Sequence, residues 1–356
     1  MKVHYRIIND EIEIVRCFGT DPEIAVPAEI DGRVVKRMAP YAFSARYTRQ
    51  ADAVPVRADI FRATDSGDDD IFVYETEADR MFCSEERLLA GDVVEKVTLP
   101  DTMEELGRYI FYGCRNLKTL CFSDRLKNIG SGAFTGCRSL AALRVRLLDG
   151  KRSCVPDILG DLWQRIDVTF YGGGRYGDGK SSDGKYAEGE DRGWKKISAR
   201  LVFPEHYEEA VENTPARLLF TQHHGSGNNY RQCFYNKEID FRKYDGLFYS
   251  ARAQEKTDVI TDLVFSRLMY PAGLTEEARK AYEDYIRERA LQTAEHLINM
   301  EDMAALKVFS ERSFWTAEAL SGAAEYAVTQ GKREALSFLM NEKHRLFPEK
   351  KKKYEL

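Results

Sequence analysis

Residues 97–120 read VTLPDTMEELGRYIFYGCRNLKTL and residues 120–143 read LCFSDRLKNIGSGAFTGCRSLAAL, the same block written twice in succession. Val97 matches Leu120 and Leu106 matches Ile129. Gly107, Phe111, Gly113, Cys114 and Leu117 match Gly130, Phe134, Gly136, Cys137 and Leu140, every pair 23 residues apart. A period between about 20 and 50 residues that keeps its apolar spacing marks a solenoid, in which each turn buries its face only against its neighbours. The expectation is a stack of coils that presents a long outer wall.

Each coil should carry one short strand, KVTL at 96–99, TLCF at 119–122 and ALRV at 142–145, stacked in parallel on the next. Strand alternation points Val97, Leu99, Leu120, Phe122, Leu143 and Val145 inward. It leaves Lys96, Thr98, Thr119, Cys121, Ala142 and Arg144 on the open sheet face. Of these, Lys96, Thr98, Thr119, Cys121 and Arg144 are the candidate partner surface. Cys114 and Cys137 share one slot a coil apart. Two ligands do not make the four-ligand set of a structural zinc, so both are expected as buried thiols packing like small hydrophobes.

Upstream, EIAVPAEIDGRVVKRMAPYAF (23–43) reads as a divergent first coil, with Val26-Pro27 in the place of Leu99-Pro100 and Ala42-Phe43 in that of Ala133-Phe134. From Phe43 to Phe111 is 68 residues, one short of three periods, so the stretch between replaces two coils or carries a long insertion. Its segment TDSGDDD (64–70) reads as a charged loop. The opening alternates in period two around Asn9-Asp10, the pattern of a hairpin that caps the first coil.

The recurring apolar pair, Leu-Pro, apolar-Gly step, Ala-Phe, Gly-Cys and spaced Leu resemble the BspA-type leucine-rich repeat of bacteria. The resemblance covers about residues 1–171 and implies a solenoid fold and a habit of binding proteins. Many members of that family are secreted surface proteins.

Downstream, VPDILGDLWQ reads as a short helix before a further coil at RIDVTFYG (165–172). The segment 172–193 is Gly-, Ser- and Asp-rich and reads as a linker. Its Gly179-Lys180-Ser181 lacks the upstream glycine at the spacing of a phosphate-binding loop. KISARLVFP suggests a strand, HYEEAVENTP a short helix ended by Pro215, and RQCFYNKEIDF a hairpin turning at Asn236-Lys237. His206, His223, His224, Ser226 and Cys233 lie in this stretch without a His-x-x-x-His or Cys-x-x-Cys spacing, and no Gly-x-Ser-x-Gly elbow surrounds Ser226. A polar loop is the expectation there.

After Asp245 the chain reads as helical. Val259, Leu263, Val264 and Leu268 share a face in a helix stopped by Pro271, and Thr275 caps the next. AEHLINMEDMAALKVF from Ala294 aligns with AEYAVTQGKREALSFL from Ala324 at a constant offset of 30. The order helix, Gly331 turn, helix resembles an ankyrin-type unit.

The fold class expected is α+β: a leucine-rich-repeat β-solenoid with an N-terminal hairpin cap, followed by an ankyrin-like α-helical domain. The segments are 1–171 for the repeats, 172–198 for the linker, 199–250 for a mixed connecting segment, 251–348 for the helical array and 349–356 for a basic tail. At 356 residues, 43% hydrophobic and 31% charged with net charge −5, the chain reads as globular and without general attraction for nucleic acid. No apolar run approaches the roughly 18 residues of a membrane span. The opening breaks every short apolar run with a charge, unlike a secretory signal, and the 7 cysteines are odd in number. A cytoplasmic setting is expected, or an extracellular surface if a leader precedes the sequence. The functional expectation is a non-enzymatic protein-interaction scaffold with no cofactor, metal or catalytic residue and a protein partner. The alternatives are a metal-binding or hydrolytic protein using His206, His223, His224 and Cys233, and a secreted adhesin.

Overall fold

The structure, a computed structural model, describes residues 1–45, 71–75, 87–148, 150, 152–172, 196–213 and 218–348. The 64–70 loop, the Gly-rich stretch beyond Gly172 and the 349–356 tail lie outside the described residues. The described chain divides into two compact units at Asp240 and Phe241.

The first unit opens with β1 (Lys2–Ile8) and β2 (Glu11–Gly19), paired antiparallel about Asn9 and Asp10. Both turn residues have positive φ, as a two-residue hairpin of matching twist demands. The first coil follows as β3 (Glu23–Ala25), β4 (Glu29–Ile30) and β5 (Arg33–Met38). Two strands from the long intervening stretch, β6 (Phe72–Tyr74) and β7 (Arg87–Leu88), add antiparallel to β1 and β2. The next coils bring β8 (Lys96–Thr98), β9 (Glu105–Leu106), β10 (Thr119–Ser123), β11 (Asn128–Ile129) and β12 (Ala142–Arg146). Helix α1 (Val155–Gly160) and strand β13 (Ile166–Tyr171) close the series, and β14 (Ile197–Phe203) covers β13 in the antiparallel sense.

Strands β3, β8, β10, β12 and β13 form one parallel sheet in register, and β5, β9 and β11 form a second along another side of each coil. This is a β-solenoid of about 5 turns. The core is the stack of repeated slots: Val97, Leu120, Leu143 and Val168 are all 0% exposed. Phe43, Phe111 and Phe134 stack ring on ring, with centroids 5.5 and 5.4 Å apart. Cys114 donates its thiol proton to the Phe43 carbonyl at 3.0 Å and Cys137 to the Phe111 carbonyl at 3.2 Å, so the slot ties consecutive coils by a hydrogen bond as well as by packing. Burial pushes the Cys137 thiol up to about 12.

The stacking of Phe43 on Phe111 resolves the 68-residue gap. Coil one packs directly on coil two, and residues 46–90 are an insertion. It leaves after Ala45 and rejoins at Gly91, whose N–H donates to the Phe43 carbonyl at 2.9 Å just as the Cys114 N–H donates to the Phe111 carbonyl at 3.0 Å. Gly107 and Gly130 are glycine for a steric reason. A Cβ on either would lie 2.3 Å from Pro40 N or 2.2 Å from Arg108 N, the backbone of the preceding coil.

Within the stretch expected as a helix ended by Pro215, Tyr207–Asn213 instead form half of a hairpin. Strand β15 (Tyr207–Asn213) pairs antiparallel with β16 (Leu218–His224) over seven residue pairs. Tertiary pairing here overrides the helical propensity of the Glu- and Ala-containing segment. Helix α2 (Gly227–Arg231) and the hairpin β17 (Phe234–Tyr235) and β18 (Glu238–Ile239) follow, with positive φ at Asn236 and Lys237. The Arg231 guanidinium donates to the carbonyls of Leu159, Leu162, Pro204, Gly227 and Gln164. It thereby satisfies the loose end of α1 and staples the last coil. Desolvation lowers its pKa to about 10.

The second unit is helical: α3 (Phe241–Gly246), α4 (Phe248–Gln254), α5 (Thr257–Met269), α6 (Glu276–Glu288), α7 (Ala290–Asn299), α8 (Met303–Glu311), α9 (Ala317–Thr329) and α10 (Arg333–Leu346). The α5 segment buries Ile260 and Phe265 as well as Leu263, Val264 and Leu268, so more of it than the one expected face is enclosed. Thr275 caps α6 by accepting from the Ala278 N–H at 3.3 Å. The 30-residue offset is structural: Glu301 and Gly331 both have positive φ, and the Asp302 and Lys332 N–H groups donate to the Leu297 and Ala327 carbonyls at 3.0 and 2.9 Å. Each helix pair thus turns through the same loop. Among the described residues no helix is long and apolar enough to cross a membrane.

Candidate partner-binding surface

The parallel sheet presents two ladders away from the core. One runs Glu23, Lys96, Thr119, Ala142, Asp167; the other runs Ala25, Thr98, Cys121, Arg144, Thr169. Four of the five proposed contact residues, Lys96, Thr98, Thr119 and Arg144, are partly exposed. Cys121 is not available to a partner, being 2% exposed: its short side chain sits between Thr98 and Arg144 in register.

The face extends further than the expected set. Asp167 and Thr169 continue the ladders on β13, and Arg200 of β14 pairs opposite Thr169. Asp167 receives both Arg165, at 3.0 and 3.1 Å, and Arg200 at 3.5 Å. The period-two alternation of RIDVTFY carried this signal, but the cap strand that adds Arg200 runs antiparallel and outside the repeat. At the other end Lys96 meets Glu23 at 3.1 Å. Exposed pairs of this kind are worth about 0–1 kcal/mol each, so a partner that displaces them loses little.

The histidine stretch is spread along the β15–β16 hairpin. His224 stacks on Tyr207 at 4.5 Å and its Nε2 lies 3.2 Å from Glu209. His223 is the adjacent residue of the same strand, opposite Glu208 in register. The His206 N–H donates to the Trp163 carbonyl. Cys233 and Ser226 are buried, at 0% and 2% exposure. Among the described residues no three His, Cys, Asp or Glu side chains are grouped to hold a metal ion.

No curated protein matches the chain. A solved structure described as the crystal structure of T. pallidum Leucine Rich Repeat protein (TpLRR) aligns at 16% identity over 42% of this chain and 72% of that one, with a TM-score of 0.20. The family match falls on the coils themselves: residues 87–147, within the β-solenoid of the first unit, match the BspA type Leucine rich repeat region (6 copies).

Proposed function

We propose that this chain is a protein-interaction scaffold without catalytic activity, and that the open face of the parallel sheet is its contact surface. The observation that carries this reading is the in-register ladder of polar side chains across five strands. Such a wall grows by one rung per coil and encloses no dry chamber where reacting groups would gather. The family match supports it, since leucine-rich repeats generally mediate protein association. The helix pairs of α7 to α10, repeating at 30 residues, serve as a second, ankyrin-like interaction module. We place the protein in the cytoplasm, in keeping with six described cysteines that form no disulfide.

The test is site-specific photocrosslinking in the native cell, with a photoreactive residue at Thr98, Thr119 or Thr169. Discrete protein adducts are expected from these positions and not from exposed Tyr235. Adducts at Tyr235 alone, or none from the ladder, would overturn the assignment of the sheet face.

A further inference from the structure

Where the coils turn beside the Phe stack, a groove of about 1030 Å3 runs across their edges, from Ser44 and Ala45 to Trp163 and Gln164. It lies apart from the sheet face. Asp92, Arg115 and Arg138 line it from the same slot of three successive coils, 23 residues apart. Asp161, at the C-terminal cap of α1, stands at the far end.

The row therefore reads negative, positive, positive, negative. Asp92 is occupied with the backbone: its Oδ1 accepts from the Arg115 N–H at 3.3 Å. Desolvation pushes the Asp161 carboxyl above the ordinary range, against the Phe134 N–H that donates to it. The two arginines are different. Both are exposed, and among the described residues neither guanidinium has an ion pair, hydrogen bond or ring contact. Their backbones are one strand spacing apart, about 4.8 Å. Gly136, two residues before Arg138, adds a further donor. Its counterpart Gly113 donates to the Thr135 carbonyl, but coil four turns into α1 at this level, and the Gly136 N–H has no backbone acceptor among the described residues. Trp163, 56% exposed, closes the end of the groove, its own carbonyl fixed by the His206 N–H at 2.9 Å.

We propose that this groove is a second docking site and that its occupant is an extended polypeptide segment with a central pair of acidic side chains and neutral or basic neighbours. The two coil spacings from Asp92 to Arg138 span about 10 Å, the length of roughly three extended residues, and Asp161 lies beyond them. Two carboxylates meet Arg115 and Arg138, for which guanidinium is the best-matched donor. Asp92 and Asp161 repel a longer acidic run and so limit the acidic stretch at both ends. Trp163 offers a flat apolar ring to a flanking side chain, as aromatic anchors do at interfaces. The inference rests on the scaffold reading only in taking a polypeptide as the ligand.

The experiment selects binders from a random peptide display library on the full chain, then measures the enriched peptides by fluorescence anisotropy. Acidic pairs flanked by neutral or basic residues are expected, with affinity that falls as salt rises. The double variant Arg115→Ala and Arg138→Ala is expected to weaken them roughly tenfold or more at unchanged Tm, both side chains being exposed. Trp163→Ala is expected to weaken them without changing the salt dependence. Enrichment of peptides without acidic pairs, or no enrichment, overturns the proposal. So does equal binding by the double variant. Peptides weakened instead by Lys96→Ala with Arg144→Ala place binding on the sheet face: the groove assignment then fails while the scaffold reading stands.

Discussion

The rings of Phe111 and Phe134, one repeat apart in sequence, lie 5.4 Å apart with an interplanar angle of 25°, and Phe111 stacks equally on Phe43 at 5.5 Å. One ring therefore serves two coil interfaces. Phe111→Ala should cost about 3–5 kcal/mol, the range for a core aromatic reduced to alanine. The control is Tyr235→Ala, 83% exposed, expected within about 0.5 kcal/mol of the parent. Urea unfolding of both variants checks this, and equal midpoints would show that the phenylalanine column does not stabilise the fold.

Gly130→Ala should be more harmful than its single added methyl suggests. The new Cβ would stand 2.2 Å from the Arg108 nitrogen, and backbone cannot swing aside as a long side chain can. Coils two and three must part, and a loss above about 3 kcal/mol is expected, the upper range for strain at a packed site. Gly160, at the end of α1, has nothing within 4 Å of a built Cβ, so Gly160→Ala should be neutral or gain up to about 1 kcal/mol. Thermal unfolding of the pair separates close approach from helix propensity.

The repeat was legible because a solenoid writes its geometry into spacing: the slots of Gly107, Phe111 and Cys114 recur with the same chemistry at Gly130, Phe134 and Cys137. The second sheet was not legible, since β9 and β11 are two residues long and leave no alternation to read. The spacing of the 46–90 stretch is compatible with two coils or an insertion, and the stacking of Phe43 on Phe111 decides between them. Segment 207–213 misled for a different reason. Its pairing partner is 218–224, and cross-strand pairing outweighed its local helical bias. Of the contact surface, the ladder positions followed from alternation. The groove did not: Asp92, Arg115, Arg138 and Asp161 keep the 23-residue period, but their charges do not repeat, and Trp163 comes from a coil rebuilt around α1.

Cys114, Cys137 and Cys154 each donate to a carbonyl of an earlier element, and burial raises the pKa of every one. The thiolate is the reactive form, and it is suppressed where the side chain is also out of reach. Iodoacetamide at pH 8 should leave these three unmodified in the folded protein and alkylate them all in 6 M guanidinium, as peptide mass mapping would show. Labelling of Cys137 under native conditions would mean that the coil interface opens.

Along the second sheet a charge ladder crosses four levels: Glu11 meets Lys36 at 2.6 Å, Lys36 meets Glu104 at 3.3 Å, and Glu104 meets Lys127 at 2.6 Å. The hydrogen bond from Lys127, then that from Lys36, holds the Glu104 carboxyl below its ordinary value despite some desolvation. A depressed folded-state pKa gives stability that is full above the unfolded value near 4.5 and is lost as pH falls through the folded one. The sites are partly exposed, so about 1 kcal/mol is the ceiling. Glu104→Gln should lower Tm at pH 7, and the gap to the parent should close by about pH 3. A gap that persists in acid would assign the effect to packing.

In the helical unit Arg267 is 0% exposed and its guanidinium grips Asp245 through two bonds of 2.7 and 2.9 Å, with the Tyr282 hydroxyl donating to the same carboxylate at 2.8 Å. Burial alone would favour a neutral guanidine, but the carboxylate outweighs it and keeps the group charged. Two ions taken from water cost several kcal/mol each, and the pair roughly repays this only while both partners remain. Arg267→Met therefore strands the Asp245 carboxylate and should cost about 3–5 kcal/mol. Asp245→Leu strands the guanidinium and should cost a similar amount. Arg267→Met combined with Asp245→Leu removes both charges, and should recover a substantial part of either single loss. A double-mutant cycle read by calorimetry at one pH decides: losses that simply add would mean that the two groups stabilise α5 independently rather than as a pair.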